Sequence, residues 1–219
     1  MFTPTEENYL KAIYKLSGNE KEFVSTSKLA ETLDTSAASA TDMIQRLSKK
    51  GLVHYHKYQG VNTSPSGEKA ALQVIRRHRL WEVFLVQKLK FNWNEVHAIA
   101  EELEHIKSPQ LIAQLDKFLA HPKYDPHGDP IPDAEGKMAP RPTTTLNMLA
   151  TGDLGKVIST KDSSSDFLLF LDKLNISLGA EIELLDYFAY DGTYSVRINH
   201  GPAITLSGKV AGNIFIEKL

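Results

Sequence analysis

Asp34-Thr-Ser-Ala-Ala-Ser-Ala-Thr-Asp-Met-Ile-Gln-Arg-Leu-Ser-Lys-Lys-Gly-Leu-Val-His-Tyr-His-Lys-Tyr-Gln-Gly-Val-Asn-Thr-Ser64 is the stretch that decides the fold. Asp34-Thr35-Ser36 is a polar turn built of helix-capping residues. Residues 37–50 follow as a helix with Met43, Ile44 and Leu47 inward. From Gly51 the pattern alternates, turns at Tyr58-Gln59-Gly60 and returns, which predicts a β-hairpin. Upstream, residues 5–16 predict a helix capped by Thr5, with Glu6 and Glu7 in its first turn and Tyr9, Leu10, Ile13 and Leu16 as its apolar stripe. Ser17-Gly18-Asn19 ends it. Residues 27–33 predict a short helix with Leu29, Ala30 and Leu33 inward. Helix, helix, turn, helix, hairpin is the order of a winged helix-turn-helix.

That order implies DNA. Ser36, Ala37, Ala38, Ser39, Ala40, Thr41 and Asp42 open the would-be recognition helix. Small side chains there permit close approach to a major groove, and Ser and Thr can bond base edges or phosphates. Lys28, Arg46, Lys49, Lys50, His56 and Lys57 add positive charge to the same module. The plainer reading of Ser36–Ser39 is a well-capped, solvated helix start. The global charge of −2 does not advertise nucleic acid, so the local basic face carries this expectation. Asp42 leaves the operator sequence open, because a carboxylate can accept from cytosine N4 or point away from the bases.

The second informative run is His97-Ala-Ile-Ala-Glu101-Glu-Leu-Glu104-His105. As a continuous helix it stacks His97, Glu101, Glu104 and His105 on one stripe. His78 and Glu82 repeat the i, i+4 spacing upstream. Two imidazoles and two carboxylates on a stripe with almost no Lys or Arg are a ligand set for a divalent transition metal. A single such pair would read as solvated charge. The repetition points to a cation. The chain has no Cys, which excludes disulfides and thiolate ligands.

The remaining chain is read more coarsely. Residues 66–90, 93–106 and 109–121 predict helices, and residues 122–142, rich in Pro, Gly and Asp, a long ordered loop. Within it, Asp125-Pro-His127-Gly-Asp129 alone reads as an Asp-Pro turn. Strands are expected at residues 156–160, 180–185, 193–199, 203–206 and 213–218, with one helix at 167–174. The fold class is therefore mainly α with a C-terminal all-β domain. The expected domains are a winged helix-turn-helix at 1–64, a helical metal-binding domain at 65–142, to which the family resemblance given next adds dimerisation, and an SH3-like small barrel at 143–219. No apolar run reaches membrane-spanning length. The N-terminus carries no secretory pattern, so a cytoplasmic location is expected. There is no Gly-rich phosphate loop and no nucleophile–base arrangement, so no enzyme and no small-molecule substrate is expected. A metalloenzyme with an open coordination position, or a metal-independent DNA-binding protein, remain the alternatives.

Together these motifs resemble the diphtheria-toxin-repressor/manganese-transport-regulator family of metal-dependent transcriptional repressors. The matching residues are Glu7-Asn-Tyr-Leu-x-x-Ile-Tyr14, Arg77-His-Arg-Leu-x-Glu82, His97 to Glu104-His105, and His127-Gly-x-Pro-Ile-Pro132. The resemblance implies a regulatory site at Asn8, Glu101, Glu104 and His105, and an ancillary site at His78, Glu82 and His97. It also implies further ligands from Asp125 and His127, completed by Asp166 or Asp162 of the β domain. It implies Mn²⁺ or Fe²⁺ as cofactor, with Zn²⁺ or Ni²⁺ able to substitute in vitro. The implied partners are a palindromic double-stranded operator and a second copy of the chain. Two positions depart from the family pattern. Asn8 stands where Met or Asp is common, and Lys11 stands where close binuclear sites carry Glu, so two separated sites are expected.

Overall fold

The computed structural model describes residues 2–18, 22–140, 143–162 and 164–219. Asn19, and the last two residues of the expected linker, Arg141 and Pro142, lie outside the described residues. The chain groups into two compact units. The first is Met1–His78, Glu101–Ile112 and Pro132–Lys137; the second is Arg79–Ala100, Ala113–Ile131 and Met138–Leu219.

The first unit contains the winged helix. Helix α1 runs Pro4–Ser17. Its cap is Thr3 rather than the expected Thr5. Thr3 and Glu6 form a capping box, and Pro4 at the first helical position presets φ. The sequence signal was therefore Thr-Pro-x-Glu, two residues upstream of where the cap was expected. Helix α2 (Thr26–Thr32) is capped by Ser25, and α3 (Ala37–Lys49) by Ser36. Strands β1 (Val53–His56) and β2 (Gly60–Thr63) pair antiparallel as the wing, with Tyr58 in the left-handed region at its tip. Leu10, Ile13, Leu29, Ala40, Ile44, Leu47 and Val61 are fully buried and form the core of this module. At about 25 cal/mol per Å² of apolar surface, such burial is what offsets the backbone entropy of three short helices.

Helices α4 (Pro65–Gln87), α5 (Val96–Leu103) and α6 (Pro109–Phe118) follow. Helix α5 is three residues shorter at each end than expected. It stops at Leu103, and Glu104 and His105 form a turn beyond it. The freed Glu104 carbonyl accepts from Arg77 Nε, so the end of the helix is satisfied by a side chain. The expected four-residue stripe is therefore broken: Glu101, Glu104 and His105 belong to the first unit, His97 to the second.

The second unit holds one five-stranded antiparallel sheet in the order β6-β5-β4-β3-β7. The strands are β3 (Leu154–Thr160), β4 (Glu181–Phe188), β5 (Thr193–Ile198), β6 (Ala203–Ser207) and β7 (Ile214–Lys218). Bulges lie between Val157 and Ser159 and between Leu184 and Asp186, where they bend the sheet. Helix α7 (Ser165–Lys173) and the short α8 (Gly208–Ala211) complete it; α8 was not anticipated. Trp93 joins Leu146, Leu168, Leu171, Ile176, Ile182 and Ile214 in the core of this unit.

Candidate metal centres and DNA-facing residues

In the first unit, α1 and the turn after α5 meet through charge. Glu104 is completely buried. Its Oε1 accepts from Lys11 Nζ at 2.6 Å and its Oε2 meets His78 Nδ1 at 2.7 Å. Lys11, itself buried, also donates to Glu101 Oε1 at 2.9 Å. Burial works against the Glu104 charge, but His78 and Lys11 outweigh it and hold the carboxyl below its ordinary range. Glu7 Oε2 meets His105 Nδ1 at 2.7 Å, and Glu7 Oε1 accepts from Arg77 at 3.0 Å. A carboxylate on Nδ1 fixes the imidazole and presents Nε2, which lies 3.8 Å from Glu104 Oε1. Lys107 Nζ lies 3.8 Å from Glu7 Oε1 and donates to the Phe2 carbonyl.

His78, Glu101 and Glu104 offer ligand atoms within 4.8 Å of one another. The premise that these carboxylates lack cations does not hold. Lys11 and Arg77, with Lys107, supply charge from elsewhere in the sequence, which the composition of the stripe itself does not reveal. The fit to a metal rests instead on donor chemistry and on Asn8. The donors are all nitrogen and oxygen, a set suited to Mn²⁺ or Fe²⁺. Asn8 Oδ1 is buried with no hydrogen-bond partner among the described residues, three residues before Lys11 on the helix that faces the cluster. An orphaned buried carbonyl costs about 1–3 kcal/mol, which a bound cation would recover.

The second unit has its own cluster. Glu82, Asp125 and His127 offer ligand atoms within 4.8 Å. His97 Nδ1 is 3.2 Å from Glu82 Oε1, and His127 Nδ1 is 3.7 Å from Glu82 Oε2. His127 Nε2 meets the Trp93 carbonyl at 2.8 Å, which leaves Nδ1 facing Glu82. Asp125 Oδ1 accepts from the backbone N–H groups of His127 and Asp129 at 2.8 and 2.9 Å. Its Oδ2 lies 3.3 Å from Arg79, which also reaches Asp129 at 3.1 Å. The loop is seated on β3 by Gly128: at φ +82° it tolerates a close approach in which an added Cβ would lie 2.0 Å from Ser159. Burial and the neighbouring Glu82 push Asp125 up to about 7, against the pull of Arg79. Burial lowers His127, yet Glu82, Asp125 and the Trp93 carbonyl outweigh it and raise it to about 9. The plain-turn reading of Asp125–Asp129 is thus too modest.

The placement of the expected ligands divides as follows. His78, Glu101, Glu104 and His105, with Asn8 on α1, lie in the first unit; Glu82, His97, Asp125 and His127 lie in the second. Asp166 is exposed on α7 and Asp162 bonds the backbone of Ser164; neither belongs to a ligand cluster among the described residues. Alternate acid choices in the β domain had no spacing signal to rank them. Sequence reading also missed Glu7, Arg77, Arg79 and the Trp93 carbonyl as orienting partners. Glu7 and Arg77 were visible inside the quoted motifs, but their roles depend on distant pairing.

The DNA candidates sit on α2, α3 and the wing. Ser36, Ala38 and Ser39 are exposed at the start of α3; the Ser36 Oγ accepts from Ser39 N at 3.1 Å, so it also does the capping work of the plainer reading. Thr41 donates to the Ala37 carbonyl at 2.7 Å, and Asp42 pairs with Arg46 at 2.7 Å. Lys28 bonds Glu31 at 3.0 Å, Lys49 is exposed, and Lys57 lies over the Tyr58 ring. Lys50 instead reaches Glu6 on α1, at 2.5 Å.

Three family models match in series. They are described as the iron-dependent repressor N-terminal DNA-binding domain (residues 1–61), the iron-dependent repressor metal-binding and dimerisation domain (64–133), and the FeoA domain (144–218). The chain is 30% identical to the diphtheria toxin repressor of Corynebacterium diphtheriae over 98% of its own length and 97% of that protein. It is 35% identical to the iron-dependent repressor IdeR of Mycobacterium tuberculosis over 58% of its length. It spans 55% of IdeR and 30% of a Chlamydia trachomatis relative. Among solved structures it resembles a manganese-dependent transcriptional repressor in complex with manganese, with a TM-score of 0.71 and 37% identity, over 98% of this chain and 100% of the other.

Proposed function

The chain belongs to the iron-dependent repressor family that includes the diphtheria toxin repressor, and on that premise we propose that it is a divalent-metal-dependent repressor controlling manganese or iron homeostasis. The observation that carries this reading is the buried Asn8 Oδ1, partnerless among the described residues, on α1, the helix whose Glu7 and Lys11 already contact His105, Glu101 and Glu104. Asn8, Glu101, Glu104 and His105 would hold the regulatory ion. Glu82, His97, Asp125 and His127 would hold an ancillary one. A bound divalent ion supplies two positive charges that several oxygen and nitrogen donors can share.

The protein's own residues do the rest. Glu7 orients His105, and His78 orients Glu104, so the donors are arranged before any ion arrives. α1 packs on α2, α3 and β2, so fixing α1 against residues 101–105 fixes the reading head of the same unit. Ser36, Ala38, Ser39, Thr41 and Asp42 would face base edges; Arg46, Lys49, Lys28 and Lys57 would face phosphate. The reading includes three domains in series, a homodimer and a palindromic operator. Among the described residues no helix is long and apolar enough to cross a membrane.

The test is duplex binding by the full chain, using an operator selected from random sequence by the manganese-loaded protein. Binding is expected to vanish in chelator and return with Mn²⁺ or Fe²⁺ under anaerobic conditions. Equal binding in chelator overturns metal control. By linkage, the operator must tighten metal binding by the same factor.

A further inference from the structure

We propose that Lys11 is a resident cation, and that its ammonium competes with a divalent ion for Glu101 and Glu104 and so sets the concentration at which the first unit's cluster fills. The proposal rests on the reading of that cluster as the regulatory site. Lys11 Nζ lies between the two carboxylates, 2.9 Å from Glu101 Oε1 and 2.6 Å from Glu104 Oε1. The residue is only 7% exposed and Glu104 is fully buried, so bulk salt does little to screen either contact. The second oxygen of Glu104 already faces His78 Nδ1 at 2.7 Å. Glu104 therefore has no oxygen left uncommitted. An incoming ion either takes the oxygen that Lys11 holds or shares it, and two positive charges on one buried oxygen repel strongly.

The tether makes the competition steady. Glu7, one turn before Lys11, is fastened to His105 and Arg77, so the α1 backbone cannot carry the lysine away. Its four-carbon side chain can swing out alone. Unlike a free salt ion, this competitor is present at every ionic strength.

The measurement is Mn²⁺ binding by the full-length chain, with Glu104→Gln identifying the equivalent that belongs to this cluster. Lys11→Met keeps the length and removes the charge. It is expected to lower the dissociation constant of the Glu104-dependent equivalent at least tenfold, and Lys11→Gln to shift it the same way. In the wild-type chain, labelling of Lys11 by an amine-reactive reagent, read by peptide mass spectrometry, is expected to rise when Mn²⁺ saturates the protein. This arm decides if neither variant folds. Unchanged or weaker Mn²⁺ binding in Lys11→Met, or labelling that does not respond to Mn²⁺, overturns the competition while leaving the metal site standing. If wild type and Glu104→Gln bind the same number of ions, the regulatory-site reading fails, and the competition with it.

Discussion

The two ligand clusters solve the same problem with different currencies of charge. In the first unit, Glu7, Glu101 and Glu104 are balanced by fixed cations: Lys11 and Arg77, with Lys107 nearby. In the second unit, Glu82 and Asp125 are balanced by Arg79 and by a proton on His127. The first cluster opposes a metal with an ammonium that must move. The second opposes it with protons that must leave. Metal affinity at the first should follow side-chain identity, and at the second pH.

The largest expected effect comes from breaking the first balance. Glu104→Ala leaves the Lys11 ammonium facing a buried void and removes the partner of His78. It is expected to cost about 3–5 kcal/mol of stability, seen as a large fall in the thermal midpoint. Glu104→Gln keeps the volume and should lose far less while still abolishing metal-dependent operator binding. If both variants melt like wild type, the charges of this cluster are not coupled as the geometry requires.

Gly128→Ala should come next. Its Cβ would collide with Ser159 and its backbone sits at φ +82°. A cost of about 1–3 kcal/mol is expected, with loss of the Glu82-dependent metal equivalent and retention of the Glu104-dependent one. Loss of both equivalents would show that the two clusters do not fill separately.

Protons sharpen the contrast. The folded pKa of His127, about 9, lies above its ordinary 6.5, so its stabilising contribution is complete below pH 6.5 and is lost as pH rises through 9. Asp125, raised from 3.8 to about 7, becomes a growing cost as pH climbs across that interval. Both act in one direction, and the metal-free protein should lose stability between pH 6 and 9.5. Over pH 7–9, metal affinity at this cluster should rise by about tenfold per pH unit, with a proton released on binding. Calorimetry in buffers of different ionisation enthalpy reads that proton, and Glu82→Gln should remove it. The smallest effect belongs to the surface. Lys49→Ala should leave stability within about 0.5 kcal/mol and reduce the salt slope of operator binding by about 1.

The winged helix was legible because each of its elements carries a local signal: caps at Ser25 and Ser36, an apolar stripe, a hairpin turn. The five strands were legible from alternation and turns. The C-terminal end of α5 was not, because its termination depends on Arg77, a residue 27 positions away that donates to the Glu104 carbonyl. The spacing along the chain found the cluster residues, whereas their division into two groups came from the family resemblance and not from the helical period. His97 shares a helical period with Glu101 yet belongs with Glu82 and the second unit. Cations were sought only beside the carboxylates in sequence, whereas Lys11 lies 93 positions from Glu104. Spacing reveals which residues bear chemistry; which partners neutralise them is a tertiary property.

Glu6 holds a further consequence. One carboxylate oxygen accepts from the Thr3 backbone at the start of α1, and the other holds Lys50, the residue that caps the end of α3. The Lys50 bond is the main reason the Glu6 carboxyl sits below its ordinary pKa. The first turn of α1 and the last turn of α3 are therefore joined by one half-exposed ion pair. Lys50→Ala should speed amide exchange at both ends by only a small factor, because the Thr3–Glu6 capping box remains.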